Sequence, residues 1–73
     1  MLTEIPQGSM AQIVELQGGT TFQDRMRSMG LREGSTVTVV TVQPFRGPLV
    51  VRIGRQCVTL GRGMAEKVRV RPQ

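Results

Sequence analysis

One cysteine, no histidine and five carboxylates make up the entire stock of thiol, imidazole and acidic groups in this 73-residue sequence. Iron and zinc centres need three or four such ligands converging on one point. Glu4, Glu15, Asp24, Glu33 and Glu66 are instead scattered along the chain. Cys57 has no histidine to act as its base, so it reads as a strand residue and not as a nucleophile. Gly61-Arg62-Gly63 lacks the Gly-Lys-Ser/Thr end of a phosphate-binding loop. The residue types therefore predict no catalytic residue, no cofactor and no metal site. What remains is a chain whose work is binding.

Charge supplies the first candidate surface. The net charge is +5, and the excess is almost all arginine beyond Pro44. Arg52, Lys67, Arg69 and Arg71 are expected on one outward basic surface. Such a patch attracts nucleic acid, anionic headgroups or an acidic protein. It serves equally well as a solvated face that keeps a valine-rich sheet soluble, and composition does not choose between these readings.

The elements that must position these groups are short. Gly8-Ser9 opens a first strand running to about Gln17, ended by Gly18-Gly19. A helix follows from Phe22 to Met29, with Thr21 expected as its N-cap and Asp24 in its first turn. Phe22, Met26 and Met29 share one apolar face, and Gly30 is placed to stop the helix in a left-handed conformation. Thr36–Val42 is the strongest strand, wholly β-branched. Pro44-Phe45-Arg46-Gly47-Pro48 is a loop. Leu49–Ile53 and Gln56–Leu60 form a hairpin across Gly54-Arg55, with a type II′ turn expected. That register sets Leu49, Val51, Ile53, Val58 and Leu60 inward and Val50, Arg52, Cys57 and Thr59 outward. Gly61–Glu66 is a connector with room for one helical turn. Lys67–Arg71 then alternates valines with cations. Residues 1–73 thus form a single all-β domain, expected to close into a small five- to six-stranded barrel with one short helix inserted after the first strand. No run of about 18 apolar residues occurs, and the start has no basic or apolar leader pattern. A cytoplasmic protein is therefore expected.

Several of these pieces, in this order, resemble the FeoA family. Asp24-Arg25-Met26-Arg27-Ser28-Met29-Gly30-Leu31-Arg32-Glu33-Gly34 looks like that family's helix ending in Leu-Gly-Leu, with Met26 and Met29 where leucine is usual. Arg46-Gly47-Pro48-Leu49-Val50-Val51 resembles its Gly-Pro start of a strand. Val58-Thr59-Leu60 and Met64-Ala65-Glu66-Lys67-Val68-Arg69-Val70 are similar to its closing strands. The resemblance implies an SH3-like barrel. It further implies an accessory role in ferrous iron uptake, through contact with the cytosolic domain of the GTP-hydrolysing permease FeoB. Recruitment to the inner face of the membrane would come only through that partner.

For a protein partner, the residues to watch are Arg25, Met29 and Leu31 at the helix end and Phe45 and Arg46 at the loop tip. Loops carry contacts more often than core strands do, and exposed methionine is adaptable. A proline-rich ligand is disfavoured, because that groove needs Tyr and Trp and the chain has neither. Two other functions stay open: a small basic nucleic-acid binder, and a freestanding relative of the SH3-like domain of iron-dependent repressors. A weak homo-oligomer is also left open.

Overall fold

The computed structural model describes residues 1–73. Five strands form one antiparallel sheet: β1 (Met10–Leu16), β2 (Thr36–Val42), β3 (Leu49–Ile53), β4 (Gln56–Leu60) and β5 (Val68–Pro72). Helix α1 (Thr20–Ser28) joins β1 to β2, and a single turn, α2 (Arg62–Ala65), joins β4 to β5. The spatial order is β4-β3-β2-β1-β5.

The sheet coils around its core as in SH3-like folds, but it does not close. No pairing joins β4 to β5, so the expected sealed barrel has an open seam and five strands. After Leu60 the chain turns through α2 and then lays β5 along β1, where Ile13 pairs with Val70 and Leu16 with Val68. That leaves β4 paired on one side only.

Two irregularities let short strands wrap. In β1 the register slips between Ile13 and Glu15, leaving Val14 as the extra residue. Ala11 and Ile13 point inward before the slip and Leu16 after it, while Val14 turns partly outward. In β2 the slip falls between Val39 and Thr41. A bulge flips the inward set by one residue and bends the strand.

The β3–β4 hairpin has the expected register, from Leu49 opposite Leu60 to Ile53 opposite Gln56. Gly54 has φ +62° while Arg55 stays at negative φ, as a type II′ turn requires. Leu49, Val51 and Leu60 are buried and Arg52, Cys57 and Thr59 are exposed, as their alternation demands.

Helix α1 begins two residues earlier than Phe22. Its N-cap is Gly19, not Thr21, and Asp24 lies beyond the first turn. The junction is held from inside the helix: the Gln23 side-chain amide donates to the Leu16 and Gly18 carbonyls, each at 3.1 Å. At the other end Gly30 takes φ +92°. The Gly30 N–H donates to the Arg27 carbonyl and the Leu31 N–H to that of Met26, both at 3.0 Å. This double closure is a Schellman motif, and it drives Leu31 into the core beside Met26. Nine residues cannot hold a helix in water alone. Full burial of Met26, worth about 1.5–3 kcal/mol, docks it.

All 14 buried residues are apolar. They include Leu2 and Ile5, which a short 3-10 turn over Leu2–Glu4 folds against α2 and β5. No helix is long and apolar enough to cross a membrane.

Candidate partner-binding site

The loop between β2 and β3 makes the most conspicuous surface feature. Phe45 is 98% exposed. It and Arg46 both adopt left-handed backbone, at φ +60° and +59°. The Gly47 N–H donates back to the Pro44 carbonyl at 3.1 Å. Two left-handed central residues closed this way make a type I′ turn. Asparagine and glycine usually fill these positions, because other residues pay about 1–2 kcal/mol each there.

The surrounding structure over-determines this strain. The Gln43 N–H donates to the Pro48 carbonyl at 3.2 Å and closes the base of the loop. A Cβ on Gly47 would lie 2.9 Å from the Gln43 Cβ, so only glycine lets the chain double back there. The Arg46 guanidinium reaches Glu66, the C-cap of α2, at 3.3 Å. The loop therefore holds an apolar ring in water on a stiff, strained support. Strain that persists in this way clusters at functional sites.

The other expected contact residues lie elsewhere. A Cβ on Gly30 would fall 3.9 Å from Ile53 Cγ2, which places the end of α1 against the far end of β3. About 13 Å of strand separates Leu49, beside the Phe45 loop, from Ile53. Arg25 is exposed and Met29 half-buried, so they form a second, separate surface. Leu31, one of the expected contact residues, is fully buried and belongs to the core.

Of the expected basic residues, Lys67, Arg69 and Arg71 follow one another into and along β5, and Arg52 stands apart. Arg52 on β3 is separated from β5 by β2 and β1. Arg69 pairs with Glu15 at 3.2 Å. The Lys67 ammonium sits 5.1 Å from the centroid of the Phe22 ring, a cation–π contact that turns it towards α1. Arg71 stands opposite Gln12 and has no carboxylate partner.

Each carboxylate is matched to a cation. Glu4 meets the N-terminal ammonium, Asp24 and Glu33 meet Arg27, Glu15 meets Arg69, and Glu66 meets Arg46. Glu33 accepts from its own backbone N–H and from Arg27, and both hold its carboxyl below the ordinary value of 4.5. No three of the Cys, Asp and Glu side chains come together. Cys57 is exposed across the hairpin from Arg52.

The site residues missed from sequence are Glu66, which anchors Arg46, and the left-handed pair itself. Phe-Arg is an unusual filling for a type I′ turn, so no local signal announced it. The glycine that follows, between two prolines, was the available hint.

A coiled five-stranded antiparallel sheet around an all-apolar buried core, with one short helix, defines an SH3-like domain. Comparison with known proteins narrows this. A family model described as the FeoA domain matches residues 1–72. A Porphyromonas gingivalis protein named Fe(2+) transport protein A/Fe(2+) transporter FeoB fusion protein is 39% identical over 69 residues, 94% of this chain. The chain spans only 8% of that relative's length. The crystal structure of an iron uptake regulatory protein (FeoA) superposes with a TM-score of 0.91 at 32% identity, covering 99% of this chain and 95% of that one. A manganese-dependent transcriptional repressor shares the fold over 99% of this chain and 40% of its own, with a TM-score of 0.88 and 20% identity. This chain belongs to the FeoA family, which is linked to ferrous iron transport.

Proposed function

We propose that this protein is a small regulatory module of ferrous iron uptake that acts by direct contact with the cytosolic domain of FeoB. The observation that carries the reading is the fusion relative, whose name joins an Fe(2+) transport protein A to FeoB in one polypeptide. Two functions linked in one chain act at high effective concentration on each other.

Phe45 is the anchor of that contact, with Arg46 beside it. A fully exposed aromatic ring on a stiff turn contributes contact area at little entropic cost. Arg25 and Met29 form a second surface, at the opposite end of β3. The protein works in the cytoplasm and reaches the membrane only through this partner. The nucleic-acid reading loses support because Arg69 is paired with Glu15, Lys67 sits over Phe22, and Arg52 lies two strands away from β5.

Calorimetric titration of the full chain into the purified cytosolic domain of FeoB tests the proposal. Saturable binding that shifts the GTP hydrolysis rate or nucleotide affinity supports it. Absence of binding in every nucleotide state of that domain would remove it.

A further inference from the structure

The two edges of the sheet are treated very differently. Edge strands expose unpaired backbone groups that invite another strand, and proteins usually blunt them with charge or proline. The β5 edge is blunted in this way by Lys67, Arg69, Arg71 and the terminal Pro72. The β4 edge, Gln56-Cys57-Val58-Thr59-Leu60, carries neither a charge nor a proline.

The register shows which groups are free. Beside a two-residue turn the closing pair, Ile53 and Gln56, is hydrogen-bonded, and bonded pairs then alternate along the ladder. Gln56, Val58 and Leu60 therefore spend their backbone groups on β3. Cys57 and Thr59 aim theirs away from the sheet, where no strand lies. No turn, loop or cap uses these groups, and both residues are exposed.

Charge decides what fits along this edge. Arg52 stands opposite Cys57, Arg55 forms the turn before β4 and Arg62 follows it. None of the three has a carboxylate partner. The Arg62 Nε–H is buried and meets no acceptor. No acidic residue occurs between Glu33 and Glu66. A second copy pairing antiparallel, Cys57 against the other copy's Thr59, would set Arg55 of each opposite Gly61 of the other, next to its Arg62. That adds like charge at both ends.

We infer that β4 is a docking edge for an extended acidic segment of another protein, which adds to the sheet as a sixth strand through the backbone groups of Cys57 and Thr59. Main-chain bonds supply the affinity in this mode and flanking charges supply selectivity. The inference goes beyond the FeoB reading and does not depend on it, because a peptide tests it.

The test is amide NMR of the labelled full chain titrated with a capped Glu-Thr-Val-Thr-Val-Glu peptide. The Cys57 and Thr59 amides should shift most and become protected from hydrogen exchange. Replacing both glutamates of the peptide by lysine should weaken binding about tenfold or more. Thr59→Pro removes an outward N–H and no β3–β4 bond, so it should lose about tenfold while the β3 amides stay unmoved. Wild-type amide mapping stands even where that variant does not fold. Shifts confined to the Phe45 loop or α1, equal binding of the lysine peptide, no binding at millimolar peptide, or concentration-dependent self-pairing of Cys57 and Thr59 without peptide would each overturn the inference.

Discussion

Replacing Phe45 by alanine separates folding from binding. The side chain is 98% exposed, so the folded state gains almost nothing from it. Alanine at the same left-handed φ of +60° carries the same penalty, so strain is neither added nor relieved. The melting midpoint should change by no more than about 4 °C, the equivalent of about 0.5 kcal/mol for a surface substitution. Binding should respond quite differently. Burying a phenylalanine side chain in a partner is worth about 1.5–3 kcal/mol. Its loss should weaken the complex with the FeoB cytosolic domain about 10- to 150-fold. Phe45→Leu should retain most of the affinity. Phe45→Gly should lose as much as alanine, with relieved strain of about 1–2 kcal/mol partly offset by glycine's freedom when unfolded, about 0.5–1 kcal/mol. Thermal denaturation and calorimetry on the same preparations give both numbers. A folded Phe45→Ala protein with unchanged affinity would refute Phe45 as the anchor. A variant that unfolds would refute the idea that the ring stands outside the fold.

The remaining predictions concern the scaffold. Gly30→Ala meets no clash, because its nearest contact is 3.9 Å, so its cost is conformational: about 1–2 kcal/mol, or about 4–16 °C in melting midpoint. Gly63→Ala, in open space within α2, should leave stability equal or raise it by about 0.4–1 kcal/mol, and the same melts compare the two. Leu31→Ala should cost about 2–5 kcal/mol, a large part of the roughly 4–11 kcal/mol available to a domain of this size, and urea titration would measure it. The Glu33 carboxyl is depressed in the folded state, so its stabilising effect is present above its ordinary value of 4.5 and fades as pH falls through its lower folded value. Glu33→Gln should flatten the acid decline of the melting midpoint, and superimposable wild-type and variant profiles would speak against the Arg27 pairing.

Local rules read some of this fold directly and could not reach the rest. The β3–β4 register was legible to the residue, because a two-residue Gly-Arg turn leaves only one way to pair. The end of α1 was legible because Gly30 has a clear function at the C′ position. Its start was not, because Gln23 closes the junction by reaching back to carbonyls of residues 16 and 18. The bulges at Val14 and Val40 left no mark in the sequence, since a bulge is defined by the partner strand. Leu2 and Ile5 gave no periodic signal, yet the 3-10 turn puts both in the core. The separation of Arg52 from the β5 cations could not be read locally, because strand order is non-local. Alternation shows that Arg52 and Arg71 face outward, but not that two strands lie between them. Phe45 was legible as an outward aromatic in a proline-flanked loop. The strain that stiffens it emerged only from the backbone.

Ferrous uptake in cells measures whether Phe45 is needed for the protein's work. Cells deleted for this protein would be complemented with equal amounts of the wild-type or Phe45→Ala chain, and anaerobic uptake would be measured under iron limitation. The account predicts that deletion depresses uptake, wild type restores it, and the folded Phe45→Ala chain does not. Uptake that is normal in the deletion strain would contradict it.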